Sequence, residues 1–140
     1  MIISEQIKEE LDIGGKKYAF LNEQEKKYII ETIKKLYINE NKKGSFVWEK
    51  LSEFRIKQDS EAWEYISDFV KEETCIVFFN TEDDKNMIKL YSGKDLKYML
   101  EETYGYEFYV TDEECTYLIC FNHHDILYTC GRAIKWLELL

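Results

Sequence analysis

The sequence predicts an α+β domain, with a mainly antiparallel sheet of about five to six strands and helices packed on one face. Three observations predict it. The first seventy or so residues place apolar side chains at helical spacing. From Cys75 onward, short apolar runs alternate with polar turns. The last of these runs are joined by connections of about four to six residues, which favours antiparallel neighbours. A chain of 140 residues with 45% hydrophobic and 16% aromatic content can bury a substantial core, and no linker or repeat divides residues 1–140.

Taken in order, residues 3–11 suit a short helix closed by Gly14-Gly15. Asn22 and Glu25 have capping-box spacing, and Ile29, Ile33, Leu36 and Tyr37 share one face, so a helix is expected from Asn22 to about Tyr37. The segment from Phe46 to Ile56 fits either a helical turn or an irregular strand. Ser60 reads as the N-cap of a helix through Val70 that turns Trp63, Ile66 and Val70 inward. Cys75 to Phe79 is a continuous apolar run, as in a strand buried on both faces, and Met87 to Tyr91 is its return. Ser92 and Asp95 begin a helix carrying Leu96, Met99, Leu100 and Thr103, with Gly105 as its stop. Tyr106–Val110, Thr116–Phe121 and Asp125–Cys130 form a three-stranded meander, and Gly131 leads into a last short helix with Ile134, Trp136, Leu137 and Leu140.

Composition excludes several functions. The net charge is −9, and only Arg55 and Arg132 supply guanidinium groups, so a phosphate-reading surface for DNA or RNA is not expected. No apolar run approaches the roughly 18 residues of a membrane span, and the N-terminus turns charged at once, so a cytoplasmic chain is expected. Cys75, Cys115, Cys120 and Cys130 include no C-x-x-C pair and read as reduced thiols. Cys75 and Cys120 fall within apolar strands and are expected to be buried, whereas Cys115 lies in an acidic turn and is expected to be exposed. The chain has no proline, three alanines and an excess of Lys, Ile, Asn, Glu and Tyr, the usage of an AT-rich bacterial genome.

No complete catalytic, cofactor or metal motif is present. The only two histidines, His123 and His124, stand beside Asp125; an imidazole with a carboxylate could act as a general base, and two imidazoles could hold a metal. Adjacent residues on a strand point to opposite faces, so a shared metal would need a bent turn, and no further ligands flank the pair. The plainer reading of Asn122-His123-His124-Asp125 is a hairpin turn whose side chains bond the local backbone. Gly14-Gly15 and Ser92-Gly93-Lys94-Asp95 lack a phosphate-loop pattern, and no calcium-loop spacing occurs. Two acidic runs, Glu82-Asp83-Asp84 and Asp112-Glu113-Glu114, fall in turns where carboxylates could steer a basic partner, with Tyr106 and Tyr117 as nearby aromatic anchors.

The segments Cys75–Asn80, Ser92–Leu96, Tyr106–Thr111 and Cys120–Asp125 together resemble a small family of unknown function from Bacillus-like bacteria, over about residues 75–137. In size, acidity and α+β make-up the chain is also similar to toxin-immunity proteins of the SMI1/KNR4-like type, although the proline-containing helix–strand junction usual there has no counterpart. The resemblance carries over no catalytic residue. The sequence thus points to a non-catalytic binding protein, in its most concrete form an immunity protein neutralising a basic bacterial toxin. The alternatives are a small enzyme using His123, His124 and Asp125 with a cysteine, or a structural or regulatory module. An enzyme needs a concave pocket onto which those groups converge; a binder needs an exposed acidic or aromatic surface.

Overall fold

The computed structural model describes residues 2–140. Seven strands form one antiparallel sheet: β1 (Tyr18–Phe20), β2 (Arg55–Gln58), β3 (Cys75–Phe78), β4 (Ile88–Leu90), β5 (Phe108–Thr111), β6 (Tyr117–Phe121) and β7 (Ile126–Gly131). Their order across the sheet is β1-β4-β3-β5-β6-β7-β2. The strands β5, β6 and β7 form a contiguous meander, as the short connections predict. Seven strands slightly exceed the expected five to six, and the least legible are the two edges. β1 has only three residues, too few to show alternation, and β2, at the end of the ambiguous 46–56 stretch, has four, mostly exposed.

Five α-helices accompany the sheet: α1 (Ile3–Ile13), α2 (Glu23–Tyr37), α3 (Ile66–Val70), α4 (Gly93–Glu102) and α5 (Ala133–Glu138). Two 3₁₀ turns, Val47–Glu49 and Ala62–Tyr65, complete the set. Alternation along the strands divides the sheet into two cores. Val77, Val110 and Ile119 face the side covered by α1, α3, α4 and α5. Ile76, Phe78, Tyr109, Leu118, Cys120 and Cys130 face α2. The first is the helical layer foreseen from the sequence; α2 adds cover to the second face. It does so through a narrow stripe of Ile29, Ile33 and Tyr37, each contributing about 1.5–3 kcal/mol by burial.

Local chemistry sets the helix ends. Asn22 accepts from the Glu25 N–H and Glu25 reaches back to the Asn22 N–H, closing the capping box of α2. Ser92 accepts from the Asp95 N–H at the start of α4. Ser60 does not cap its segment. Asp59 accepts from the Glu61 N–H at 2.9 Å instead, and the chain enters a 3₁₀ turn before α3. Helix α1 has no cap of its own, and its Ser4 N–H is taken by Asp84, eighty residues away, at 2.7 Å. Asp84 is therefore 7% exposed rather than at a turn tip. Burial pushes its carboxyl up, but the N–H groups of Asn86 and Ser4 outweigh this and hold it below the ordinary aspartate value.

All four cysteines are free and buried. Cys115 is the departure from expectation: its left-handed backbone (φ 56°) turns the side chain in under α2, and its carbonyl accepts from the Tyr37 hydroxyl at 2.6 Å. Gly131 lies against the same corner at φ 63°, where a Cβ would meet the Thr116 carbonyl at 2.5 Å. Burial pushes the Cys115 thiol up to about 11, those of Cys75 and Cys130 up to about 12, and that of Cys120 well above its usual value.

Two outcomes follow from this arrangement. A thiol reagent added to the native protein should leave all four cysteines unmodified until denaturant is present; fast reaction at Cys115 alone would place that turn outside the core. Asp84→Ala, which strips α1 of its only side-chain cap, should lower stability by about 1–2 kcal/mol in urea denaturation, far more than Asp83→Ala at the exposed neighbour.

Candidate functional site

Strand direction decides which loops meet. β3 and β6 run one way and β5 and β7 the other, so the segment after β3, the entry to β5 and the β6–β7 turn gather at one end of the sheet. The 112–116 turn and Arg132 lie at the opposite end. The candidate site is at the first end, on the face that carries α2.

Its centre is Glu107, one residue ahead of β5 and 8% exposed. By alternation it shares a face with Tyr109, which stacks on Phe78 at 5.0 Å. The Tyr109 hydroxyl donates to Asn80 Oδ1 at 2.6 Å, and Asn80 Nδ2 donates to Glu107 Oε1 at 2.8 Å. Trp48 Nε1 donates to the same oxygen at 3.0 Å. The other oxygen accepts the His123 N–H at 2.8 Å and a short bond from His123 Nδ1. Burial alone would push this carboxyl up; the His123 N–H, its ring, Trp48 and Asn80 outweigh that and hold it below the ordinary glutamate value.

The turn is a hairpin closed by Asn122. Its Oδ1 accepts from the N–H groups of His124 and Ile126 at 3.0 and 3.1 Å, and Asp125 takes a left-handed conformation at φ 60°. Nδ2 of Asn122 is the one buried side-chain polar atom without a hydrogen-bond partner among the described residues. The bend brings the two imidazoles together, with ring centres 3.9 Å apart, where a strand would have splayed them. Trp48 meets both edge-on, at 6.1 and 6.2 Å, with Phe46 stacked on its far side at 5.8 Å. Glu49, which accepts from the N–H groups of Ser45 and Phe46, fixes the 3₁₀ turn that carries Trp48.

The sequence pairs the histidines with Asp125, but the structure pairs His123 with Glu107. Among the described residues the Asp125 side chain bonds neither imidazole, and no cluster of three or more His, Cys, Asp or Glu side chains is arranged to hold a metal. Glu82 and Asp83 are exposed at this same end, two and three residues beyond Asn80. At the far end, Asp112 accepts from Thr116 and Arg132, and Glu113 binds Lys89 at 3.0 Å, leaving Glu114 exposed. The expected aromatic anchors are occupied. Tyr117 is 1% exposed beneath Phe69, and the half-buried Tyr106 shares a short hydrogen bond with Thr103. Glu107, Asn80 and Trp48 were not legible as a set; the sole trace of Glu107 is a charged residue directly ahead of an apolar strand.

A concavity of about 590 Å³ runs between α2 and the 78–87 segment; Asn80 lines it, but no histidine or cysteine does. Among the described residues no helix is long and apolar enough to cross a membrane. The profile of a family of unknown function, DUF6756, matches residues 3–138, so the chain belongs to that family, over a wider span than the 75–137 resemblance. No curated protein and no solved structure matches it.

Glu107→Gln turns a donor toward the His123 N–H and should cost about 2–4 kcal/mol at pH 7, read by urea denaturation with tryptophan fluorescence. The sign of the pH effect follows from the depressed carboxyl. Its stabilisation is complete above the unfolded glutamate value of about 4.3 and is lost as pH falls through the lower folded value. The variant should therefore lose less stability than the wild type between neutral pH and pH 3; parallel curves would remove Glu107 as an acid-sensitive contact.

Proposed function

We propose that this member of DUF6756 is a non-catalytic binding protein whose contact surface is Trp48 with His123 and His124, rimmed by Glu82 and Asp83. Its partner is a basic protein, in the most concrete form a bacterial toxin that the chain neutralises as an immunity protein. The observation that carries the reading is Glu107, whose hydrogen bonds fix Trp48 and the turn before any partner arrives. A rigid, half-buried tryptophan with neighbouring imidazoles loses little freedom on association, which is the property of an interface anchor. The charge of −9 supplies steering for a basic partner, and the free carboxylates of Glu82 and Asp83 stand at the same end of the sheet.

Catalysis has weaker support. A nucleophile needs a base within hydrogen-bond reach, and the thiols are buried and raised while neither histidine lines the cleft beside α2. One observation favours the enzyme alternative: with Nδ1 on a buried carboxylate, the Nε2 of His123 is oriented as a general base would be.

Affinity capture from the source cell on the immobilised chain tests the binding reading. Trp48→Ala should weaken the recovered complex by about 2 kcal/mol or more, roughly thirtyfold in Kd, mostly through faster dissociation. Glu82→Lys with Asp83→Lys should instead slow association and flatten its salt dependence. Equal recovery of every bound protein by wild type and Trp48→Ala would remove this surface from the interface.

A further inference from the structure

We propose that the cleft between α2 and the 78–87 segment binds a small anionic amphiphile, a free carboxylate on an unbranched apolar chain. The site adjoins the Trp48 surface, with Glu82 at the rim of both, and does not depend on the partner reading. The cleft, about 590 Å³, falls within the range of small-molecule sites, about 300–1,000 Å³. Val47, Phe78 and Met87 line it on one side, and Ile30 of α2, 39% exposed, faces it on the other. It exists because α2 is held to the sheet only by its stripe of Ile29, Ile33 and Tyr37.

Its charge is opposite to that of the chain as a whole. Lys26 and Lys27 of the rim pair with Glu23 and Glu31, at 2.8 and 4.0 Å. Asp84 is spent on the N–H groups of Ser4 and Asn86. Lys34, Lys50 and Lys85 line the same cleft and pair with no carboxylate among the described residues, against the single free carboxylate of Glu82. In a protein of net charge −9, three unpaired ammonium groups around an apolar floor complement an anion with an apolar body. Protein–protein contact buries about 800 Å² on each partner, more than a concavity of this size presents, so the complementarity favours a small ligand.

Titration calorimetry of the full chain with hexanoate, octanoate and decanoate, all below their micellar concentrations, tests this. Each buried methylene adds up to about fourfold in affinity, so Kd should fall steeply along the series at one site per chain. Decyltrimethylammonium should not bind. Lys34→Gln/Lys50→Gln/Lys85→Gln should weaken decanoate at least tenfold with an unchanged unfolding midpoint. Should that triple variant unfold, Ile30→Glu, at an exposed helix position, should abolish decanoate binding alone. Equal binding of the cationic amphiphile, affinity independent of chain length, or full binding by a folded variant would overturn the proposal. So would an acidic amphipathic peptide that binds the cleft where decanoate does not, since that would make the groove a partner-helix site.

Discussion

Glu107 is a carboxylate almost out of contact with water, and three separate stretches of chain converge on it: the 3₁₀ turn of Trp48, Asn80 just beyond β3, and the 122–126 hairpin. A buried charge of this kind is weak evidence for net stability, because its desolvation cancels much of what its hydrogen bonds return. Its effect is on geometry. Two oxygens with a fixed set of donors allow only one placement of the tryptophan and one of the hairpin. A glutamine or an apolar residue would leave several. Removing the carboxylate strands the Trp48 and Asn80 donors in a low-dielectric setting, and this asymmetry makes the site a single arrangement instead of an ensemble.

The two faces of the sheet are organised on different terms. On the α1/α3/α4/α5 side, several helices and a continuous apolar cluster define the packing, and Asp84 ties the first turn of α1 to the 80–86 loop. On the other side a single helix covers the strands through one stripe, and polar bonds do the rest: Tyr37 to the Cys115 carbonyl at one end, and the Tyr109–Asn80–Glu107 chain at the other. The candidate contact surface and the lysine-lined cleft both belong to this second face. That follows from packing: a sheet face that is only partly covered has edges where side chains can be both rigid and reachable.

How much of this the sequence disclosed depends on the range of the interactions. The capping box of Asn22 and Glu25, the buried run of β3 and the meander β5-β6-β7 rest on spacing within a dozen residues, and all were readable. The edge strands were not, since three or four half-exposed residues carry no periodic signal. Cys115 was misplaced because a left-handed residue in an acidic turn reverses the direction that composition implies. The His123–Glu107 and Ser4–Asp84 bonds join positions 16 and 80 apart, and nothing local marks either carboxylate as buried. Asp125 is the natural partner by adjacency, but among the described residues His123 bonds Glu107 instead.

Charge placement separates the two acidic turns that look alike in the sequence. They lie at opposite ends of the sheet, too far apart to form one patch, so a partner meets one or the other. At the 112–114 end, Thr116, Arg132, Lys89 and Thr74 take both oxygens of Asp112 and one of Glu113, and those two residues act as internal bracing. At the 82–84 end the division is by residue: Asp84 is turned inward as a helix cap, while Glu82 and Asp83 are exposed and have no partner among the described residues. Unpaired carboxylates contribute to long-range attraction in full, whereas braced ones are already screened by their own cations. The end of the sheet that holds the rigid Trp48 thus carries the exposed carboxylates of Glu82 and Asp83 beside the lysines of the α2 cleft, so charges of both signs stand there within reach of a partner.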